Sequence, residues 1–181
     1  MRHPNQSQGK FFKFRNISEW DDDAKRDVRV PKIVRAHMVL VLGKSDNRQG
    51  FVKIVTVRFL YHVLELLSTN SDSNIPKVTS TQADNVDSDL LVPIAPSPKN
   101  RKTDMQLNVA NVGFDWSYRL RHRLQKPSYL RVDKVWEVPS DVLEPFFWSQ
   151  SEHVELKQKS YNRLMSFMRR RPEQMLNIPA E

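Results

Sequence analysis

Three stretches of the chain alternate apolar and polar residues, strictly in "DWSYRLRHRL" (115–124) and with interruptions in "MQLNVANV" (105–112) and "YLRVDKVWEV" (129–138). A two-residue period is that of a strand with one buried face, and it predicts three strands. In the last stretch Leu130, Val132, Lys134, Trp136 and Val138 oppose Tyr129, Arg131, Asp133, Val135 and Glu137. "PKIVRAHMVLVLG" (31–43) reads as another strand, closed by Gly43 and the turn-rich "KSDNRQG". In 51–67 two signals compete. Val52, Ile54, Val55, Thr56 and Val57 favour a strand, while Phe59, Leu60, Val63, Leu64 and Leu67 recur at helical spacing. The pattern predicts a helix over at least 57–68 and leaves 51–56 open.

Two helix starts carry the Ser-x-x-acid pattern of a capping box. Ser18–Asp21 leads into the acids Asp22 and Asp23, which suit a helix N-terminus better than a metal site. Ser149 and Glu152 precede a helix whose stripe is Val154, Tyr161, Leu164, Met165 and Met168, closed by Arg169, Arg170 and Arg171 before Pro172. "SDVLEPFFWS" reads as a short helical turn broken at Pro145. Residues 1–9 read as a mobile polar arm. Residues 68–104, rich in Ser, Thr, Asn and Asp and then in proline, offer little to bury and read as a flexible internal loop. The expectation is one α+β domain over 10–181, a mostly antiparallel sheet covered by helices.

Charge changes this picture from fold to partner. Hydrophobic residues are 39% and charged residues 28% of 181, and 29 Lys and Arg against 21 Asp and Glu leave a net charge of +8. That excess points to a polyanion, either nucleic acid or an anionic lipid surface. The absence of cysteine excludes disulfides and thiolate zinc sites and fits a reducing compartment. The N-terminus lacks the apolar stretch of a secretory signal, so the sequons at Asn5 and Asn16 carry no weight. "FVKIVTVRFLYHVLELL" is interrupted by Lys53, Arg58, His62 and Glu65 and cannot span a bilayer.

Within that charge two patches stand out. On a strand, Trp116, Tyr118, Leu120, His122 and Leu124 would face inward, and Arg119, Arg121 and Arg123 would form an outward file about 6.6 Å apart. Such a file suits phosphate oxygens, with Lys126, Arg131 and Lys134 adding to it; it also suits a solvated face that keeps an edge from aggregating. "KFFKFR" interleaves Phe11, Phe12 and Phe14 with Lys10, Lys13 and Arg15. It can lay aromatics at the headgroup level of an anionic membrane, or be a strand whose phenylalanines join the core. Catalytic signatures are missing. Four glycines build no phosphate-cradling loop, and His3, His37, His62, His122 and His153 lie at no ligand spacing. No enzyme activity, cofactor or small-molecule substrate is expected.

The order of parts resembles the matrix proteins of rhabdoviruses, particularly the small ones of plant-infecting, cytorhabdovirus-like members. It is carried by the basic N-terminal arm, "PKIVRAHMVLVL" followed by "FVKIVTVRFLYHVLELL", the long polar excursion, further strands and a C-terminal helix. The resemblance implies a virion protein, peripheral at membranes and present in the host cytoplasm. It also implies self-association and bridging of a helical ribonucleocapsid to the inner leaflet, without catalysis. PPxY and PTAP motifs do not occur; "YHVL" (61–64) and "YNRL" (161–164) fit YxxL but sit in predicted helices and are expected in the core. The competing class is a basic nucleic-acid-binding regulator, such as a viral silencing suppressor or a nuclear factor, for which "PKNRK" (98–102) and "RRRP" (169–172) are weak nuclear-import signals.

Overall fold

The β-branched run from Val52 to Val57 settles as the long strand β3 (Phe51–Phe59), paired along both sides. The computed structural model describes residues 7–59, 90–95, 97, 99, 104–110, 128–146 and 153–171. Around β3 lie β2 (Val39–Lys44) and β6 (Ser128–Pro139), then β1 (Phe11–Phe14), β4 (Leu91–Ile94) and β7 (Leu143–Pro145). The sheet runs β4-β6-β3-β2-β1-β7, and every pairing within it is antiparallel. A two-stranded sheet joins β5 (Val109–Ala110) to β8 (Glu155–Leu156). With helices α1 (Asp22–Asp27), α2 (Lys32–Arg35) and α3 (Gln158–Arg169), the fold is α+β, as the alternation predicts.

Both faces of the large sheet are covered. On one, Phe11, Leu40, Leu42, Val55, Val57, Leu130 and Val132 meet Leu164 and Met168 of α3 and Leu107, Val109 and Leu156 beside the small sheet. On the other, Val39, Val41, Val52, Ile54 and Val138 meet Trp20, Ala24 and Val30 from the chain around α1 and α2. Strand β6 serves both cores because it slips. Trp136 faces Ile54, but Thr56 faces Arg131, so five positions on β6 match two on β3. The three extra residues are an odd number, and an odd insertion reverses which face each parity occupies. Leu130 and Val132 therefore enter the first core while Trp136 and Val138 pack in the second, a division the plain alternation of this stretch does not reveal.

Several expectations are corrected. Residues 31–35 are not strand: Pro31 starts α2, Val34 and Arg35 donate to its carbonyl, and the strand begins only at Val39. Residues 57–59 are strand and not helix, because Val57, Arg58 and Phe59 pair with Leu130, Tyr129 and Ser128; sheet pairing overrides the helical spacing. Residues 60–68 lie outside the described residues. Within the expected loop, Leu91–Ile94 form β4, with Val92 and Ile94 in the core. Its Pro93 is tolerated because β4 is an edge strand, and β7 at the opposite edge carries Pro145. Ser140–Val142 do form a helical turn, but Leu143–Pro145 continue as β7. Residues 7–9 of the expected arm are docked: Gly9 donates to Val41 and accepts from Leu156.

Both capping boxes are displaced. Asp21 itself caps α1 by accepting from the Ala24 N–H at 2.6 Å, with Asp22 and Asp23 in the first turn paired to Lys25 and Arg26. Helix α3 starts at Gln158 after Lys157, which makes no side-chain cap, and not near Ser149. Val154, placed on the helix by the sequence, lies just ahead of β8 instead. The rest of the stripe is as predicted, with Tyr161, Leu164, Met165 and Met168 packed inward, so of "YNRL" Tyr161 and Leu164 join the core while Asn162 and Arg163 are exposed. No helix among the described residues is long and apolar enough to cross a membrane.

Candidate polyanion-binding surface

Helix α3 is held down firmly, which fixes what its outer face presents. Its amino end is tied to the 104–110 segment, where Lys157 N–H donates to Asn108 O (2.8 Å) and Asn108 N–H to Ser160 Oγ (2.9 Å). One turn later the Tyr161 hydroxyl donates to the Leu42 carbonyl of β2. Burial raises the Tyr161 phenol above its ordinary value, with Arg169 opposing, which keeps the hydroxyl a donor. Leu164 and Met168 complete the inward face.

At about 100° per residue, Lys159, Arg163 and Arg170 fall on one line diametrically opposite that stripe, spanning roughly 16 Å of helix. All three are exposed, as are Lys157 and Arg169. From Lys157 to Arg171 the chain carries six cations and no acid. Arg163 donates to the Asp104 carbonyl (2.8 Å), which steadies it without neutralising it, while Arg171 is drawn over the Phe167 ring at 4.9 Å. Lys157 and Lys159 sit at the helix amino end, where the helix dipole disfavours cations. Fold stability alone gives no reason to place them there, and an external anion would.

The sequence-predicted patches fare differently. Arg119, Arg121, Arg123 and Lys126 lie outside the described residues, as does His122. Arg131 is described, and its guanidinium is taken up by Asp133 through Nε at 2.6 and 2.8 Å and Nη2 at 2.6 Å. Lys134 sits half-buried in the slipped part of β6, not in a regular outward file. The aromatic patch is corrected. Phe11 and Phe14 are 1% and 9% exposed, one in each core, and Phe12 packs edge-on to His153 at 5.3 Å. These rings are spent on the fold because β1 lies inside the sheet, where both of its faces are covered. The same strand aligns Lys13 with Glu144 (2.9 Å) and Lys10 with Glu155 (3.9 Å), leaving Arg15 exposed.

The face of α3 was only half legible from sequence. The run Arg169–Arg171 is conspicuous, but it reads as a C-terminal complement to the helix or an import signal. Lys157, Lys159 and Arg163 gain meaning only with the absence of any Asp or Glu from 157 to 171. Elsewhere the described cations commonly have partners: Lys25, Arg26, Arg48 and Lys53 each meet an aspartate. Compared with protein-family models, with curated proteins and with solved structures, the chain matches none.

Proposed function

We propose that this protein is a non-enzymatic assembly protein that docks on polyanionic surfaces through the outer face of α3, in the manner of a viral matrix protein joining a ribonucleocapsid to an anionic membrane leaflet. The observation that carries the reading is the acid-free line of Lys159, Arg163 and Arg170, with Lys157 exposed just ahead of the helix and Arg169 exposed on its flank, on a helix fixed to the sheet. The inward face of α3 is already committed to the core, so docking is electrostatic and peripheral and does not need insertion. A rigid cationic face gains about 1 kcal/mol per Lys or Arg held near an anionic leaflet, and it fades with salt over a Debye length of roughly 8 Å.

Self-association completes the reading. The prolines of β4 and β7 disfavour growth by strand addition at the sheet edges, so copies would meet through other surfaces. Flotation with phosphatidylserine vesicles, RNA filter binding and sedimentation at rising protein concentration test the parts separately. The proposal expects salt-sensitive flotation and concentration-dependent assembly. RNA binding by a strict monomer that never floats would instead favour a nucleic-acid-binding regulator.

A further inference from the structure

On the face of the sheet opposite α3, a second set of donors comes together from β3, β6 and the bend ahead of β2. Val57 N–H donates to Met38 O (2.8 Å), which sets His37 beside Arg58. Arg58 pairs across the ladder with Tyr129, and Thr56 in the next row pairs with Arg131. Residues directly opposite share a face, so Arg58, Tyr129 and Arg131 project from the same side of β3 and β6, and His37, in the bend just ahead of β2, lies close to Arg58. That side is the one that buries Val39 and Ile54 against α1 and α2 further along, and here its side chains are half-buried and open to solvent.

The cluster is unbalanced. Arg131 is satisfied by Asp133, but among the described residues no carboxylate forms an ion pair with Arg58. Burial and then the Arg131 guanidinium push Arg58 down from its ordinary value, while Asp133 pulls it partly back. His37 is lowered as well, by burial and then by Arg58. Among the described residues, this half-buried guanidinium, beside another guanidinium and an imidazole, shares a single carboxylate already bonded to Arg131 and has no ion-pair partner of its own.

We propose that Arg58, with His37 and Arg131 beside it, receives a backbone phosphate of single-stranded RNA while the adjacent base stacks on Tyr129. An aromatic ring on a sheet face next to a planar, forked cation is what unpaired bases and their phosphates use, and stacking needs no particular base. The inference goes beyond the docking role of α3 and does not depend on it. Because the two sites lie on opposite faces of one sheet, a single subunit could hold RNA on one side and an anionic surface on the other.

The test uses the full chain and a fluorescent oligouridine. Arg58→Gln and Tyr129→Leu should each weaken its binding on the order of 10-fold, as loss of a charge-assisted contact or of one stacked base would. Tyr129→Phe should bind as the parent does, and none of the three should alter flotation with phosphatidylserine vesicles. In the unmutated chain, 4-thiouridine placed in the oligomer should photocrosslink to the peptide containing Tyr129, so the proposal stays testable even where a variant fails to fold. Unchanged affinity in folded Arg58→Gln and Tyr129→Leu would overturn it, as would crosslinks confined to other peptides. Loss of flotation with RNA binding intact would give the site to lipid headgroups, and equal competition by inorganic phosphate would reduce it to a free-phosphate site. Failure of the α3 reading shows separately, as flotation indifferent to the helix cations.

Discussion

Neutralising the outer face of α3 separates docking from folding. In the quadruple variant Lys157→Gln, Lys159→Gln, Arg163→Gln and Arg170→Gln, every altered side chain is exposed and none belongs to the stripe of Tyr161, Leu164 and Met168 that holds the helix. Stability should change little. Surface replacements cost less than about 0.5 kcal/mol each, and removing Lys157 and Lys159 from the helix amino end returns roughly 0.3–1 kcal/mol apiece. Arg163→Gln gives up one exposed hydrogen bond to Asp104 O, worth about 0.5–1.5 kcal/mol. Docking should change a great deal. Four cations at about 1 kcal/mol each sum to about 4 kcal/mol, close to a thousandfold in vesicle partition at low salt, and imperfect additivity makes a hundredfold loss a fair lower bound. The assay is vesicle flotation across a salt series, with a urea melt on the same preparation. A variant that folds as the parent does and still floats with the parent's salt dependence would refute the reasoning, because the charged line would then be an idle solvated face.

Three further outcomes follow from the packing. Gly9 has φ +76°, and a Cβ there would come within 3.3 Å of the Tyr161 ring, so Gly9→Ala should destabilise by about 1–2 kcal/mol and lower the thermal midpoint by several degrees in a calorimetric scan. Leu130 is fully buried beside the slip in β6, and Leu130→Ala should cost about 2–5 kcal/mol in a urea melt, whereas Lys134→Ala should cost little. His37 is lowered by burial and by Arg58, so the unfolded chain takes up a proton near pH 6.5 while the folded chain takes it up only at lower pH. Stability should therefore fall as pH drops below about 6.5, and the difference in stability between parent and His37→Gln should shrink or reverse across that window.

What the sequence conceals follows from the way the sheet is put together. The period-two reading of 129–138 identifies β6 correctly, yet it assigns Leu130 and Trp136 to one face. The odd slip opposite Ile54 and Thr56 sends them to different cores, and no local pattern records a slip set by pairing with another strand. Likewise Phe59 fits a helical period with residues that follow it, but long-range pairing of 51–59 decides its conformation. "LVPI" looks unstructured because proline interrupts it; at a sheet edge the missing N–H costs nothing. The candidate surface shows the same limit. A cation is visible in sequence, but whether a carboxylate lies opposite is not: Lys13 meets Glu144 and Arg131 meets Asp133, while Lys159 and Arg170 face outward with no acid on their helix.

The central claim, that α3 is the docking face, is read most directly by mapping lysine acetylation with and without phosphatidylserine vesicles. Lys157 and Lys159 lie on the α3 side of the sheet, whereas Lys25 belongs to α1, which packs on the opposite side. Vesicles should protect Lys157 and Lys159 and leave Lys25 reacting at its free rate. Protection of Lys25 with Lys157 and Lys159 fully reactive would contradict the account.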